Sequence, residues 1–174
     1  LACPGFYIHW MMAKDQMSPD SHDWWRSLGV IPTDRSGGDT GSVRSALRYL
    51  RRGEAVGVFP EGQMGAHEGR LGPFHGGVGT LASRTGATIL MITIDDTPPV
   101  HGVLAAFFRR SRARITVVDL LPVSRGEDPA ALTRRLRQHF CGWRCAALRH
   151  IVRRAQINEK IREQLFTFCT VNQI

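Results

Sequence analysis

AVGVFPEGQMG, Ala55 to Gly65, decides the architecture. Ala55 to Phe59 is an apolar run of strand length, and Pro60 ends it because a proline has no N–H to give the next rung of a ladder. Glu61 then stands alone between that proline and Gly62. A loop that leaves a strand so abruptly and carries a single acid is the kind that meets a ligand.

The segments on either side of this strand alternate. Upstream, TGSVRSALRYLRRG reads as a helix, with Thr40 as its cap, Val43, Ala46, Leu47 and Leu50 recurring at i, i+3, i+4 and i+7, and Gly53 as its stop. Arg51 and Arg52 fall in its last turn, where cations suit the helix dipole. Downstream, GGVGTLASRTG is a helix of small residues suited to close packing, and TILMITI, Thr88 to Ile94, has the unbroken apolar character of a strand buried on both faces. ARITVVDLL reads as a strand and PAALTRRLRQHF as a helix, with Pro129 near its start and Leu132, Leu136 and Phe140 on one face. Nearer the beginning, FYIHWMMA, Phe6 to Ala13, reads as a strand; HDWWRSL follows, and VIP is a short extended piece. Alternation of this kind predicts an α/β fold with a mixed, largely parallel sheet flanked by helices.

Size and charge bound the rest. A chain of 174 residues, 43% hydrophobic and 22% charged, suits one domain with a real core. Its formal charge of +8 is uneven: residues 101–174 hold 14 Lys and Arg against five Asp and Glu, whereas residues 1–100 hold nine against ten. Such a basic half suits nucleic acid, an anionic membrane surface or an acidic substrate or carrier. No aromatic sheet motif or zinc-finger spacing accompanies the arginines, so no nucleic acid is expected. No apolar run approaches the roughly 20 residues of a membrane-spanning helix, so any contact with a bilayer is expected at its surface. The last segment, from Cys141, reads as one or two amphipathic helices, with Leu148, Ile151, Val152 and Ala155 opposite Arg149, Arg153 and Arg154. The expected division is thus residues 1–140 as the main domain and 141–174 as a basic helical extension.

Cys3, Cys141, Cys145 and Cys169 form no CxxC pair and are read as reduced and structural. No metal-ligand spacing links the histidines with one another or with the cysteines, so no metal is expected. Gly77 to Ala82 matches G-x-G-x-x-A, with Asp95 and Asp96 beyond it, but GPFH rather than a strand leads into it; close helix packing is the favoured reading over a dinucleotide site.

Two strand ends carry the chemistry. GVIPTDR and VFPEG are separated by one helix, which brings Arg35 and Glu61 to one edge of a sheet, where open α/β sheets bind ligands. A guanidinium there suits a phosphate, since its fork matches two oxygens. The competing expectation is a surface pair of Arg35 with Asp34, Asp39 or Glu61.

Taken in order, Ala13-Lys14-Asp15, GVIPTDR, FPEG and GRLGPFHGGVGTLASRTGATILMITI resemble the conserved blocks of the glycerolipid acyltransferases, which acylate glycerol-3-phosphate and 1-acylglycerol-3-phosphate. The resemblance runs over about residues 6 to 125. It implies transfer of an acyl group from acyl-CoA or acyl carrier protein, as co-substrate, to a lysophosphatidate-like hydroxyl in phospholipid synthesis, with no cofactor or metal, at the cytoplasmic face of a membrane to which the protein binds peripherally. It also implies that Arg35 holds the acceptor phosphate, that Phe59, Pro60, Glu61 and Gly62 shape the acceptor site, and that Lys14 and His75 line it.

The sequence departs from the family at three points. Gln63 and Met64 stand where Thr or Ser and then Arg follow FPEG, and Phe74-His75 stands for the family's Phe-Lys step. The family's first block, His-x4-Asp, supplies the general base and the acid that orients it. No His-x4-Asp occurs in these 174 residues: His9 and Asp15 are one position too far apart, and His22 and Asp23 are adjacent. Because that block precedes the Ala-Lys strand in the family, the chain is expected to be truncated at its N-terminus and impaired as a catalyst, which leaves the catalytic residues unknown. The alternative is a non-catalytic lipid- or membrane-binding domain that keeps the fold.

Overall fold

A computed structural model describes residues 7–17, 21–35, 38–62, 72–95, 112–147 and 165–172. In chain order the elements are β1 (Ile8–Ala13), a 3-10 turn (Lys14–Gln16), α1 (His22–Ser27), β2 (Ile31–Thr33), α2 (Thr40–Arg51), β3 (Ala55–Val58), α3 (Gly77–Thr85), β4 (Thr88–Asp95), β5 (Arg114–Leu121), α4 (Pro129–Ala147) and β6 (Leu165–Asn172). The six strands form one sheet in the order β2-β1-β3-β6-β4-β5. All neighbours are parallel except β4 and β5, which pair antiparallel with a register shift between Met91 and Ile92. The α/β class and the mixed, largely parallel sheet are as expected.

Strand periodicity sorts the core into two faces. Successive side chains in a strand point to opposite sides. Val56, Ile89 and Met91 face the helices: Val56 packs with Ile31, Ala46, Leu47, Leu50 and Leu81, while Ile89 and Met91 pack with Val78, Ala82, Leu121, Leu132, Leu136 and Phe140. α2, α3 and α4 therefore cover one face. Ala55, Leu90 and Ile92 alternate with those residues and are buried on the other face, against Ile8, Val117 and Leu120. The predicted stripe Leu132, Leu136 and Phe140 is almost fully buried, and Phe74 meets Phe140 edge-on at 5.7 Å. Each such side chain contributes about 1.5–3 kcal/mol by leaving water.

Two expectations are corrected. Thr40 is the first residue of α2 and not its cap: Asp39 caps it, accepting the Ser42 N–H at 3.0 Å. Asp wins because its carboxylate reaches an orphan N–H two to three residues on and also favours the positive end of the dipole. The larger correction concerns the C-terminal segment. α4 runs without a break through position 140 to Ala147, and Leu165–Asn172 is a strand between β3 and β4, not a helix. Phe166, Thr167, Phe168, Thr170 and Val171 are aromatic or β-branched, types that suit a pleated surface, and the backbone edges of β3 and β4 both pair with it. Leu148, Ile151, Val152 and Ala155 lie outside the described residues.

Candidate acceptor site

The strand order creates the site. The chain passes from β1 to its neighbour β2 and then back across β1 to β3, so connections diverge on the two sides of β1. In open α/β sheets the crevice for a ligand lies at the carboxyl ends of the strands at such a point. Lys14 and Asp15 directly follow β1, Asp34 and Arg35 follow β2, and Phe59 to Gly62 follow β3. His75 joins them from the lead into α3: its N–H donates to the Pro60 carbonyl at 2.8 Å, and its ring lies against Gly62. Lys14, Arg35, Phe59, Pro60, Glu61, Gly62 and His75 thus share one edge.

Arg35 ties three strand ends together. One terminal nitrogen, Nη1, donates to the Gly62 carbonyl at 3.0 Å, and Nη2 is paired with the Asp15 carboxylate. That pairing replaces the expected surface partners Asp34, Asp39 and Glu61. Its signal is in the register: Ala13 aligns with Thr33, so the residues two places beyond each, Asp15 and Arg35, emerge side by side. The hydrogen bond from Arg35 is the main cause that holds the Asp15 carboxyl below its usual range, against an opposing effect of burial.

Asp39 organises the loop between β2 and α2. Its carboxylate accepts the Asp34 N–H at 2.7 Å as well as the Ser42 N–H. Burial pushes this acid up, but the two N–H donors, the Ser42 side chain and the charge of Lys14 outweigh it and hold Asp39 below the usual carboxylate range. Lys14 is exposed and faces this acid electrostatically.

The described residues on either side of positions 63–71 meet. Glu61 is half-buried, and its Oε2 accepts the Gly72 N–H at 2.9 Å. The acid that the sequence presents as aimed outward therefore clamps the base of its own loop. Gly62 has φ +67°, a left-handed conformation that favours glycine, and a Cβ there would come within 2.8 Å of the His75 ring. Phe59 stacks on Trp10 with centroids 5.5 Å apart, which is possible because Gly57 beneath the indole has no side chain. Gln63 and Met64 lie outside the described residues.

Among the described residues no three His, Cys, Asp or Glu side chains gather as a metal site would require. No described helix is long and apolar enough to cross a membrane. The G-x-G-x-x-A stretch lies within α3, where Val78, Gly79 and Ala82 are buried against neighbouring elements. Gly79 there packs closely on Pro129 and Thr133, the close helix packing favoured from the sequence.

A family model described as Acyltransferase matches residues 7–95, about half of the chain, and spans all three strand ends and His75. The chain belongs to the acyltransferase family. Within it, the chain is similar to two proteins named as chloroplastic 1-acyl-sn-glycerol-3-phosphate acyltransferases, one from Brassica napus and one from Arabidopsis thaliana. Each is 33% identical over 72 residues, covering 40% of this chain. Those alignments cover 21% and 20% of the two relatives, so the match spans about a fifth of their length. No solved structure matches the chain. The acyltransferase match covers the ordered blocks that the sequence presents, from the Ala-Lys strand end to the apolar strand β4.

Proposed function

We propose that this acyltransferase-family chain builds the acceptor side of a site that transfers a fatty acyl group from a thioester, acyl-CoA or acyl carrier protein, to the hydroxyl of a lysophosphatidate-like glycerolipid. The observation that carries this is the convergence of Arg35, the Phe59–Gly62 turn and His75 on one strand edge, inside the matched family region. In this reading Arg35 meets the acceptor phosphate with its forked N–H groups, Lys14 adds charge beside it, and Glu61 holds the loop that shapes the pocket. The reaction itself is attack of the acceptor hydroxyl oxygen on the thioester carbonyl: a C–O bond forms, the C–S bond breaks, and the hydroxyl proton passes to a general base while the thiol leaves. The base in the family is a His-x4-Asp histidine, a spacing these 174 residues lack. Transfer by this chain alone is therefore impaired in our reading, while acceptor binding is retained. The donor and the acceptor bring the protein to a bilayer surface, where its basic C-terminal half meets anionic headgroups.

The same absence of His-x4-Asp, together with Gln63, Met64 and His75 in place of the family's Thr or Ser, Arg and Lys, favours a second reading as a lipid-binding domain without catalysis. One pair of assays separates them. Labelled acyl-CoA is supplied with 1-acylglycerol-3-phosphate to this chain and to the chain joined behind a His-x4-Asp segment, and lipid binding is measured on both. Transfer only in the joined form, lost on Arg35→Ala, is the expected result. Binding in both with transfer in neither would leave the lipid-binding domain.

A further inference from the structure

Arg35 already holds an anion. Its Nη2 is paired with Asp15, and Nη1 is fixed to the Gly62 carbonyl, so both ends of the fork are engaged. The Gln16 side chain also donates to the same Asp15 oxygen, at 3.4 Å, which adds a second contact to the carboxylate in this position. The register of β1 against β2 makes the pairing a property of the sheet and not of one rotamer, because it sets the two residues at matching distances beyond their strands.

We infer that Asp15 is a specificity-determining residue of the acceptor site: it occupies the side of the Arg35 guanidinium that an acceptor phosphate needs, and so weakens the site selectively toward doubly charged phosphate monoesters. This rests on the acceptor-site reading above. A carboxylate and a phosphate compete for the same planar fork, since both offer two oxygens at the spacing of the N–H pair. Arg35 cannot turn wholly toward a ligand without giving up the Gly62 carbonyl. An incoming phosphate must therefore either displace Asp15 or bind beside it. Displacement costs the Asp15–Arg35 pair whatever the ligand's charge, whereas beside Asp15 the repulsion grows in proportion to that charge, so there a dianion suffers about twice the penalty of a monoanion. Lys14 and Arg35 are the fixed cations directly after β1 and β2, and Lys14 faces Asp39, so neither cation is without a competing acid.

The test uses the 174-residue chain with two small probes at pH 8 and low salt: sn-glycerol 3-phosphate, a phosphate monoester, and glycerophosphoglycerol, a diester. Affinities are measured by titration calorimetry for the wild type, Asp15→Asn, Asp15→Ser and Arg35→Gln. Both Asp15 variants should tighten the monoester by about two- to fivefold, the range for exposed charge pairs, and tighten the diester by only about the square root of that factor. Arg35→Gln should weaken the monoester relative to the wild type. If Arg35→Gln loses binding while neither Asp15 variant tightens it, or if both probes gain equally, Asp15 only orients Arg35, and the inference is overturned with the acceptor site intact. If Arg35→Gln binds as the wild type does, or if no variant binds the monoester, the acceptor-site reading itself fails and takes the inference with it.

Discussion

Gly79 lies directly beneath the carbonyl of Pro129. A Cβ on Gly79 would stand 2.3 Å from that oxygen and 2.4 Å from Thr133 Oγ1, so α3 and α4 meet backbone to backbone. The oxygen cannot turn away freely, because the Thr133 hydroxyl donates to it at 2.8 Å. Gly79→Ala should therefore destabilise the fold by about 1–3 kcal/mol through overpacking, less up to about 1 kcal/mol that alanine returns as a better helix former. Gly77→Ala, two residues earlier with open space around its Cβ, should be neutral or mildly stabilising. Urea midpoints that are equal for the two variants would refute the close-packing account.

The Glu61 carboxylate and the Gly72 N–H close the base of the loop after β3 at 2.9 Å. Removing the acceptor with Glu61→Ala should cost about 1.5–3 kcal/mol, the range for a hydrogen bond to a charged group, and sit toward its low end because the residue is only half-buried. Glu61→Gln keeps an acceptor oxygen and should retain most of the clamp. The direct readout is exchange of the Gly72 amide, which should quicken in Ala and change little in Gln. If Gln preserves that protection and yet loses 1-acylglycerol-3-phosphate binding, Glu61 contacts the acceptor itself.

Much of this fold was legible because its signals are local. The i, i+3, i+4, i+7 pattern of Val43 to Leu50 and the stripe Leu132, Leu136 and Phe140 each require only neighbours on one helix, and all are buried except Val43, which is partly buried. The edge shared by Arg35 and Glu61 followed from strand–helix–strand alternation, which fixes where strand ends fall. What could not be read depends on pairing between distant segments. Leu165–Asn172 is central in the sheet only because β3 and β4 leave room between them, a fact that no window of sequence around Phe168 contains. Asp15 and Arg35 are 20 residues apart and meet only once the register of β1 and β2 is known. Thr40 and Asp39 are both good caps by residue type, and the choice turned on which side chain reached the Ser42 N–H.

Acid should unfasten the β2–α2 loop through Asp39. Its folded carboxyl is held below the ordinary value near 3.9, so it contributes stability that is fully present above that value and is lost as pH falls through the lower folded one. Asp39→Asn keeps a capping side chain but removes the charge. The difference in thermal stability between wild type and Asp39→Asn should be constant from pH 7 down to about pH 5 and shrink below about pH 4. Asp39→Ala should cost about 1 kcal/mol at pH 7 from loss of the cap. A gap between wild type and Asn that persists unchanged at pH 2 would assign the effect to shape and not to charge.

At the amino end of the sheet, opposite Arg35, His9 is held on both sides. Its Nε2 lies 2.6 Å from Glu54 Oε2 and its Nδ1 2.8 Å from the Gly29 carbonyl, while its ring stacks on Tyr49 at 3.6 Å. His9 is 6% exposed, so a ring nitrogen that loses its partner cannot turn to bulk water. Glu54→Ala should therefore cost about 1–3 kcal/mol, the penalty for a buried polar group left unsatisfied, and Glu54→Gln less, because its amide oxygen can still face the ring. Gly29→Ala attacks the same cluster from the other side: Gly29 has φ +65°, and a Cβ there would come within 2.8 Å of His9 Nδ1. Glycerol 3-phosphate binding should be unchanged in Glu54→Ala at temperatures where the protein remains folded, since this cluster braces β1 from the end opposite Arg35. Loss of that binding with the fold intact, shown by unchanged near-ultraviolet circular dichroism, would mean that the two ends of β1 are coupled and that His9 belongs to the site.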